Sequence, residues 1–502
     1  MAGQGNKKRK PHLSGKTAEP AFISKLTVKS NKNKDTASIV NGTVQLQYWE
    51  SILQDSIRAS VVFTDTGNSL PKKRTLFGSS GKGKVGVVEG LPIVGEEQVI
   101  LKFEDNMGNV LEFSDNDENS LFINNIQSIP TPGETTNKAY ELKLGSKEFL
   151  DNEEGWSRVR TCYSGQVSDH VRSILEKNLK TKKDLDIEET KKTLDFTGHN
   201  KKPFFTLNTL AQKAVSSKIE GEGTTAGYFF WETANGFHFK SIDTLLTGKQ
   251  KLSILYNENA DSKPPAGYDV KALSLEMDNR IDVKRKKMMG AYSTRSFLLD
   301  PFKGIWECVS KDALSEEGKK KVDNEELKCA GEELPTLNNV FKDTKADTDF
   351  TRTTWNAVTT GQLNYGPISD QLDKSKKINF DYSKVLNQSI SRYNQLFASQ
   401  ITIVIPGNFS LHAGDTVFMD IPESGTTQNK ACSDEVNKMD GGVYLITDLC
   451  HYVTAKETYT KLVLTRDSFG RKGSPTKGRT DGNGVSGNAK KAMQNNFLPN
   501  IK

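Results

Sequence analysis

The stretch Val44-Gln-Leu-Gln-Tyr-Trp49 decides the fold class, because apolar and polar residues alternate along it. Alternation with a period of two predicts a strand that buries one face. A second stretch, Arg58-Ala-Ser-Val-Val-Phe63, is rich in β-branched and aromatic residues and runs into the turn signal Asp65-Thr-Gly67-Asn68. Together these stretches predict the opening of a β-rich domain.

Two further strands are predicted downstream. Gln98–Phe103 and Val110–Phe113 are apolar and β-branched, and Asn106-Met-Gly108-Asn109 supplies a hairpin turn between them. Short strands at this spacing are typical of a β-barrel or a β-sandwich.

The pattern changes to a helical period near residue 166. Val167–Leu179 and Pro203–Val215 are predicted helices, the second with proline near its start. Tyr228–Glu232 and Gly236–Phe239 then predict a hairpin. We expect a small α+β module inside a β-rich chain. Six aromatic side chains of that hairpin suit core packing or an intersubunit seam better than base or sugar stacking: Tyr228, Phe229, Phe230, Trp231, Phe237 and Phe239.

The last structured block is predicted to begin with a helix and to continue as a second β unit. Apolar residues recur at helical spacing at Val385, Leu386, Ile390, Tyr393 and Phe397. The predicted strands are Ile401–Ile405, Thr416–Met419, Val443–Ile446 and Thr460–Thr465.

The composition restricts the class of protein. The chain has 502 residues, of which 35% are apolar and 26% are charged, which predicts two to four domains with long surface loops. No apolar run approaches the roughly 18 residues of a membrane helix, and the N-terminus lacks the apolar core of a secretory signal. We therefore expect a soluble product made in a host cytoplasm.

Charge is nearly balanced, with 69 basic and 63 acidic residues and a net charge of +6. The excess lies largely in the two ends, residues 1–24 and 470–502, which fit solvated tails and also fit docking arms for acidic partners. The segment Lys311–Asp349 is charged and poor in large apolar residues, which predicts an insertion or loop.

Gly81-Lys-Gly-Lys-Val-Gly86 resembles a dinucleotide-binding loop, and it overlaps most of a phosphate-binding loop. Both motifs need a helix immediately afterwards. Because Val85–Pro92 is β-branched and broken by glycine and proline, we expect no helix to start there. The motif therefore predicts a basic hairpin or an intersubunit loop, and no cofactor.

Catalytic and metal-binding patterns are weak. The five cysteines and six histidines are scattered, so neither a disulfide framework nor a metal site is expected. Cys450 and His451 are neighbours in a strand-rich region, and neighbours on a strand point to opposite faces, so a structural histidine is favoured over a Cys–His pair. No acidic residue is marked by an apolar setting as a glycosidase acid. We expect no catalytic residues.

Three stretches, in this order, resemble the baseplate hub proteins of T4-like phages and of related contractile injection systems, including the hub part of type VI spike proteins. The first stretch comprises Tyr48–Leu53, Ala59–Asp65 and Gly90–Gly95. The second comprises Val167–Leu179, Pro203–Ala214 and Tyr228–Phe237. The third comprises Leu411–Asp415, Gly442–Ile446 and Lys461–Asp467.

The resemblance implies a mainly β fold with two β-barrel tube domains and an inserted α+β domain. The implied divisions are a basic flexible arm (1–24), a first tube domain (25–165), the inserted domain (166–300), a charged connection (301–380), a second tube domain (381–469) and a flexible basic tail (470–502). It also implies a homotrimer in the tail baseplate of the virion. That trimer would contact a central spike protein, tail tube proteins and baseplate wedge proteins, and DNA would pass through its lumen without specific binding.

Two other functions remain as alternatives. A baseplate-associated cell-wall hydrolase would need a lysozyme-like domain or an endopeptidase zinc motif, and neither pattern is present in the sequence. A nucleic-acid-binding protein would bind duplex DNA through the basic ends in a salt-dependent way.

Overall fold

Strands dominate a computed structural model of the chain. It describes residues 18–32, 35–67, 70–71, 83–113, 119–130, 138–218, 226–256, 267–279, 282–290, 293–301, 304–312, 329–332, 352–358, 383–397, 399–421, 437 and 439–475. Within these ranges, no helix is long and apolar enough to cross a membrane. The predicted arm and tail fall mostly outside them.

The N-terminal part, here called the first β unit, is built mainly from antiparallel strands. Its strands are β1 (Phe22–Lys29), β2 (Thr36–Ser38), β3 (Thr43–Ser51), β4 (Arg58–Asp65), β5 (Leu70–Pro71), β6 (Lys84–Val85), β7 (Gln98–Glu104), β8 (Val110–Phe113), β9 (Leu121–Ile129) and β10 (Lys138–Ser146). Its short helices are a 3-10 turn (Val40–Gly42), α1 (Val87–Gly90) and α2 (Lys147–Asp151). The four predicted strands of this region are confirmed as β3, β4, β7 and β8.

Helix α1 corrects one expectation, because a single helical turn does form within Val85–Pro92. The Asp65 carboxylate accepts a hydrogen bond from the Val88 amide at 3.4 Å, while buried Val87 anchors the turn. A side-chain cap of this kind replaces the missing partner of a helix N-terminus. The first two residues of the glycine motif, Gly81 and Lys82, lie outside the described residues.

The middle of the chain forms an α+β module. Its elements are β11 (Cys162–Tyr163), α3 (Val167–Ser173) with a π-helical continuation (Ile174–Asn178), β12 (Leu185–Ile187), β13 (Phe196–Thr197), α4 (Pro203–Lys213), β14 (Tyr228–Thr233), β15 (Gly236–Ser241) and α5 (Ile242–Leu246). Strands β12, β15 and β14 form one sheet, and its side chains pack in one core with those of α3 and α4. The aromatic cluster of β14 and β15 is buried, which confirms the core-packing interpretation.

The C-terminal half contains the second β unit and a side layer. The elements are β16 (Gln250–Leu255), β17 (Val270–Lys271), β18 (Ser274–Asn279), α6 (Val283–Met289), β19 (Ser293–Asp300), β20 (Ile305–Asp312), β21 (Arg352–Ala357), α7 (Ser383–Leu396), β22 (Ser399–Pro406), β23 (Thr416–Asp420), β24 (Gly442–Thr454) and β25 (Thr458–Arg466). Strands β19–β21 form a separate sheet beside α7, whereas β16 and β18 pair with C-terminal strands and β17 pairs with β16.

The two β units repeat one order of strand pairing. Neighbours run β3-β4-β10-β9-β7-β1 in the first unit and β18-β22-β25-β24-β23-β16 in the second. One difference is that β1 is antiparallel to β7, whereas β16 is parallel to β23. The pairing order makes β9 equivalent to β24 and β3 equivalent to β18.

Matching irregularities support this equivalence. Asn124 is an extra residue in β9 opposite β10, and Thr447 is an extra residue in β24 opposite β25. Immediately before each bulge, Ile123 and Ile446 exchange backbone hydrogen bonds with the segment that leads into the adjoining strand. A β-bulge is a specific structural feature, so its recurrence at the same place fixes the residue-level alignment of the units.

Candidate interaction site at the junction of the β units

A continuous antiparallel ladder joins the two β units. Strand β24 pairs with β3 from Asp448 opposite Ser51 to Thr454 opposite Gln45. The distal end of β24 packs into the first unit, since Val453 belongs to the core of that unit. The units therefore share a sheet, and the second unit contributes Val453 to the core of the first.

Glu50 on β3 is the point where the three parts of the chain meet. Its buried carboxylate accepts hydrogen bonds from the Tyr48 hydroxyl at 2.7 Å, the Ala234 amide at 2.9 Å and the Ala413 amide at 3.0 Å. His412 Nδ1 lies 3.1 Å from Glu50 Oε1. These contacts link the first unit to the module turn and to the second unit.

The pair formed by Glu50 and His412 is held in its charged form. Burial raises the pKa of Glu50. The opposing effect is larger and lowers the pKa overall, because His412 contributes its charge and a hydrogen bond, and the Ala234 amide and the Tyr48 hydroxyl donate hydrogen bonds. Burial lowers the pKa of His412, and Glu50 more than compensates, so that pKa is raised. A buried ion pair is strongly destabilised when one partner is removed.

Gly414 fits the junction closely against the module. Its φ is +93°, and a Cβ there would lie 2.6 Å from Cζ2 of Trp231. The Trp231 indole donates a hydrogen bond to the Ala413 carbonyl at 3.1 Å. Only glycine adopts this conformation readily and leaves room for the indole.

A second buried cluster, here called the Lys183 network, fastens the module to the first unit. The Lys183 ammonium lies 2.6 Å from Glu148 and 2.6 Å from Glu232. Glu232 also accepts hydrogen bonds from the Ile57 amide at 3.2 Å and from the Ser146 hydroxyl at 2.7 Å.

The Lys183 network contains a buried carboxylate, Glu232, that the sequence did not mark. Burial raises the pKa of Glu232, although Lys183 opposes the shift. Burial lowers the pKa of Lys183, but the charges of Glu232 and Glu148 raise it overall. Because both carboxylates bind the same ammonium inside the protein, they do not form the open pair across a cleft that glycoside hydrolysis requires.

A third buried cluster centres on Arg392 of α7. Its guanidinium contacts Asp243 of the module at 2.5 Å and Asp467 after β25 at 3.1 Å. Asp467 also accepts a hydrogen bond from the Ala330 amide at 2.9 Å. Residues 329–332, which belong to the predicted charged insertion, thus pack against the end of the second unit.

Cys450 and His451 lie on opposite faces of β24, as the strand alternation predicted. His451 is buried, with Nδ1 3.0 Å from Thr460 Oγ1 and its ring stacked on Tyr48. Burial lowers its pKa to about 3. Cys450 lines an external groove, and burial raises its pKa to about 12. The structural interpretation of His451 is confirmed.

That groove, about 590 Å³ in volume, crosses the joined sheet on the face opposite the cores. Trp49 and Phe149 supply aromatic surface, and charges of both signs surround them: Arg58, Lys143, Lys461, Glu141 and Asp448. Within the described part of the chain, no three His, Cys, Asp or Glu side chains gather as a metal-binding group.

Sequence reasoning missed the buried charged clusters, because their members are distant in sequence.

Comparisons with known proteins identify similar solved structures. No family model and no curated protein matches the chain. A 43 kDa tail protein of prophage MuSo2 from Shewanella oneidensis has a TM-score of 0.47 at 8% identity, covering 89% of this chain and 99% of that one. A tail protein from Neisseria meningitidis has a TM-score of 0.45 at 10% identity, with coverage of 88% and 96%.

A third similar structure is an E. coli component of the type VI secretion system, described as structurally similar to T4 bacteriophage tail proteins. Its TM-score is 0.38 at 8% identity, and the alignment covers 90% of this chain and 80% of that one. These three similar solved structures are thus two tail proteins, one of them from a prophage, and a component of a type VI secretion system.

Proposed function

We propose that the chain is a non-enzymatic structural subunit of a contractile-tail baseplate hub. The observation that carries the proposal is the repeated β unit, present twice and joined by the ladder between β3 and β24. Three copies would place six similar units around one axis. A threefold ring of this kind matches a sixfold tail tube on one side and a threefold spike on the other.

Each β unit is proposed to be a barrel closed by one bridging segment. In the second unit, β17 pairs with β16, and β18, which begins at Ser274, pairs with β22. In the first unit, β2 pairs with β1, and the same run of chain continues into β3, which pairs with β4. Closure of this kind reduces the number of exposed strand edges in each unit.

The inserted domain is proposed to end near residue 249 instead of residue 300. Strands β16 and β18 supply pairing to β23 and β22, and Ile254 and Val270 belong to the core of the second unit. The side layer of β19–β21 and α7 then interrupts the second barrel, and β20 and β21 of this layer fall within the charged connection (301–380).

The proposed location is the tail baseplate of the virion, between the tail tube and the spike and beside the wedge proteins. DNA would cross the lumen during ejection, and a net charge of +6 over 502 residues suits passage without tight binding.

The test is the mass of the purified chain, alone and mixed with the spike protein of the same tail. Sedimentation equilibrium should give three times the 55.7 kDa chain in at least one condition. A monomer in both conditions at micromolar concentration would contradict the ring.

A further inference from the structure

The repeat inside the chain shows which strand edges are complementary. Within one chain, β3 pairs with the distal half of β24, from Asp448 to Thr454. The equivalent half of β9 begins at Asn125, one residue after the shared bulge. Among the described residues, Asn125–Ile129 pairs only with β10. Its other edge is therefore open, whereas the equivalent edge of β24 is paired with β3.

The strand equivalent to β3, the other strand of this ladder, also has an open edge. Strand β18 is equivalent to β3, because Leu275 is opposite Ile403 as Leu46 is opposite Val61. Among the described residues, β18 pairs only with β22. The chain thus has two open edges, on β9 and on β18, and they are equivalent to the two edges that β24 and β3 join within the chain.

Both open edges carry exposed apolar side chains. Leu273 and Met277, beside and within β18, are 46% and 44% exposed, and Ile129 on β9 is 36% exposed. Open strand edges that carry apolar side chains pair readily with other chains. An edge of this kind fits the interface of an assembly.

We propose that β18 of one copy pairs antiparallel with β9 of the next copy, reproducing between chains the ladder that β3 and β24 form within one. This inference rests on the proposed ring and specifies its interface. Since Gln47 is opposite Tyr452 within a chain, the equivalent residues Glu276 and Ile129 are opposite each other between chains. The contact is head-to-tail, the kind that closes a ring of three when successive copies are related by a third of a turn.

The equivalence also assigns a packing contact. Val453, at the distal end of β24, packs in the core of the first unit with Leu46. Its equivalent on β9 is Pro130, and the equivalent of Leu46 is Leu275 on β18. The end of the β9–β10 hairpin therefore covers the second unit of the neighbouring copy near Leu275.

Disulfide trapping in the full-length chain tests this register. Ile129→Cys and Glu276→Cys are combined in a chain whose Cys162, Cys308 and Cys432 are replaced by Ser. Directly opposite residues of an antiparallel pair have Cα atoms about 4.5–5.5 Å apart, within the range of about 4.4–6.8 Å that a disulfide spans. Mild oxidation should give covalent species of two and three chains on a non-reducing gel.

Two matched controls define the geometry. Gln47→Cys with Tyr452→Cys, the equivalent pair within one chain, should close an intramolecular disulfide under the same oxidation. Ile129→Cys with Ser274→Cys moves one partner two residues along β18, to a diagonal separation of about 7–8 Å, and should give less than a tenth of the crosslinking. Equal crosslinking of both intermolecular pairs would overturn the register.

The outcomes separate this interface from the proposed function. A trimeric mass without crosslinking at Ile129 and Glu276, while the intrachain control forms, would overturn the edge pairing and leave the ring intact. A monomeric mass alone and with the spike protein would overturn both. As a second variant, Met277→Lys places a charge on the open edge, and it should abolish the trimer while leaving the thermal midpoint of the monomer within about 2 °C.

Discussion

Replacing Lys183 by Met is the sharpest test of the buried electrostatics. The variant keeps a long apolar stem but removes the ammonium that lies 2.6 Å from both Glu148 and Glu232. The Lys183 side chain is 7% exposed, so water does not replace the lost charge easily. Removing one partner of a buried ion pair costs about 3–5 kcal/mol, and we expect a loss of that size in the free energy of unfolding at pH 7.

The loss should depend on pH with a definite sign. Without the ammonium, one of the two carboxyls keeps a proton in the folded state, so its folded pKa lies above the value of about 4.3 in the unfolded chain. The folded state then binds more protons than the unfolded state, and stability falls by about 1.4 kcal/mol per pH unit above that value. The deficit relative to the wild type should be about 2–3 kcal/mol larger at pH 7 than at pH 5.

Urea unfolding followed by tryptophan fluorescence measures these differences, because Trp231 is buried in the strand that carries Glu232. Lys177→Met changes an exposed lysine nearby and should alter stability by less than about 0.5 kcal/mol. Adding Glu232→Gln to Lys183→Met leaves one carboxyl in the cluster, so none has to keep a proton because of a second carboxylate, and it should recover part of the loss. A deficit below about 1 kcal/mol, or one equal at the two pH values, would refute this account of the network.

Three further predictions concern the junction and the groove. Gly414→Ala should cost about 1–3 kcal/mol in urea unfolding, because its Cβ meets Trp231 at a φ that disfavours alanine, and an unchanged midpoint would contradict the close fit. The raised pKa of His412 predicts that its contribution to the free energy of unfolding is fully present below about pH 6.5 and is lost as pH rises through its folded pKa. His412→Asn keeps a donor to Glu50 and should flatten the fall of stability between pH 6 and 9, whereas an unchanged slope would assign it to another group. Neither the wild type nor Glu141→Gln, a variant of the groove, should produce a cleared zone in a cell-wall zymogram. Clearing by the wild type alone would establish the hydrolase alternative.

Local patterns predicted the strands well wherever one face of a strand is buried throughout. Strand β24 shows where such reasoning stops, since its prediction ended at Ile446 and the strand continues to Thr454. The bulge at Thr447 shifts the alternation, so the residues of β24 that enter the cores of the β units are Tyr444 and Ile446 before it and Leu449 and Val453 after it. A pattern search with a fixed period reads that shift as the end of the strand.

The buried charges could not be predicted from the sequence for a different reason. Lys183 stands in a run of charged residues that is typical of a solvated surface, and Glu148 and Glu232 lie 35 and 49 residues away from it. Only the docking of the module on the first unit brings the three together. The position of strands β16 and β18 was also hidden, because they precede their partners by more than a hundred residues.

Strand β24 has a mechanical consequence for the whole molecule. Its 13 residues span about 43 Å at roughly 3.3 Å per residue, and they run without a loop from one β unit into the other. A force that slides the units past each other along this direction loads the hydrogen bonds of the ladder with β3 all at once, in shear. The two units should therefore transmit a load directed along β24 as one stiff body. Any hinge that the chain possesses must lie outside the ladder between β3 and β24.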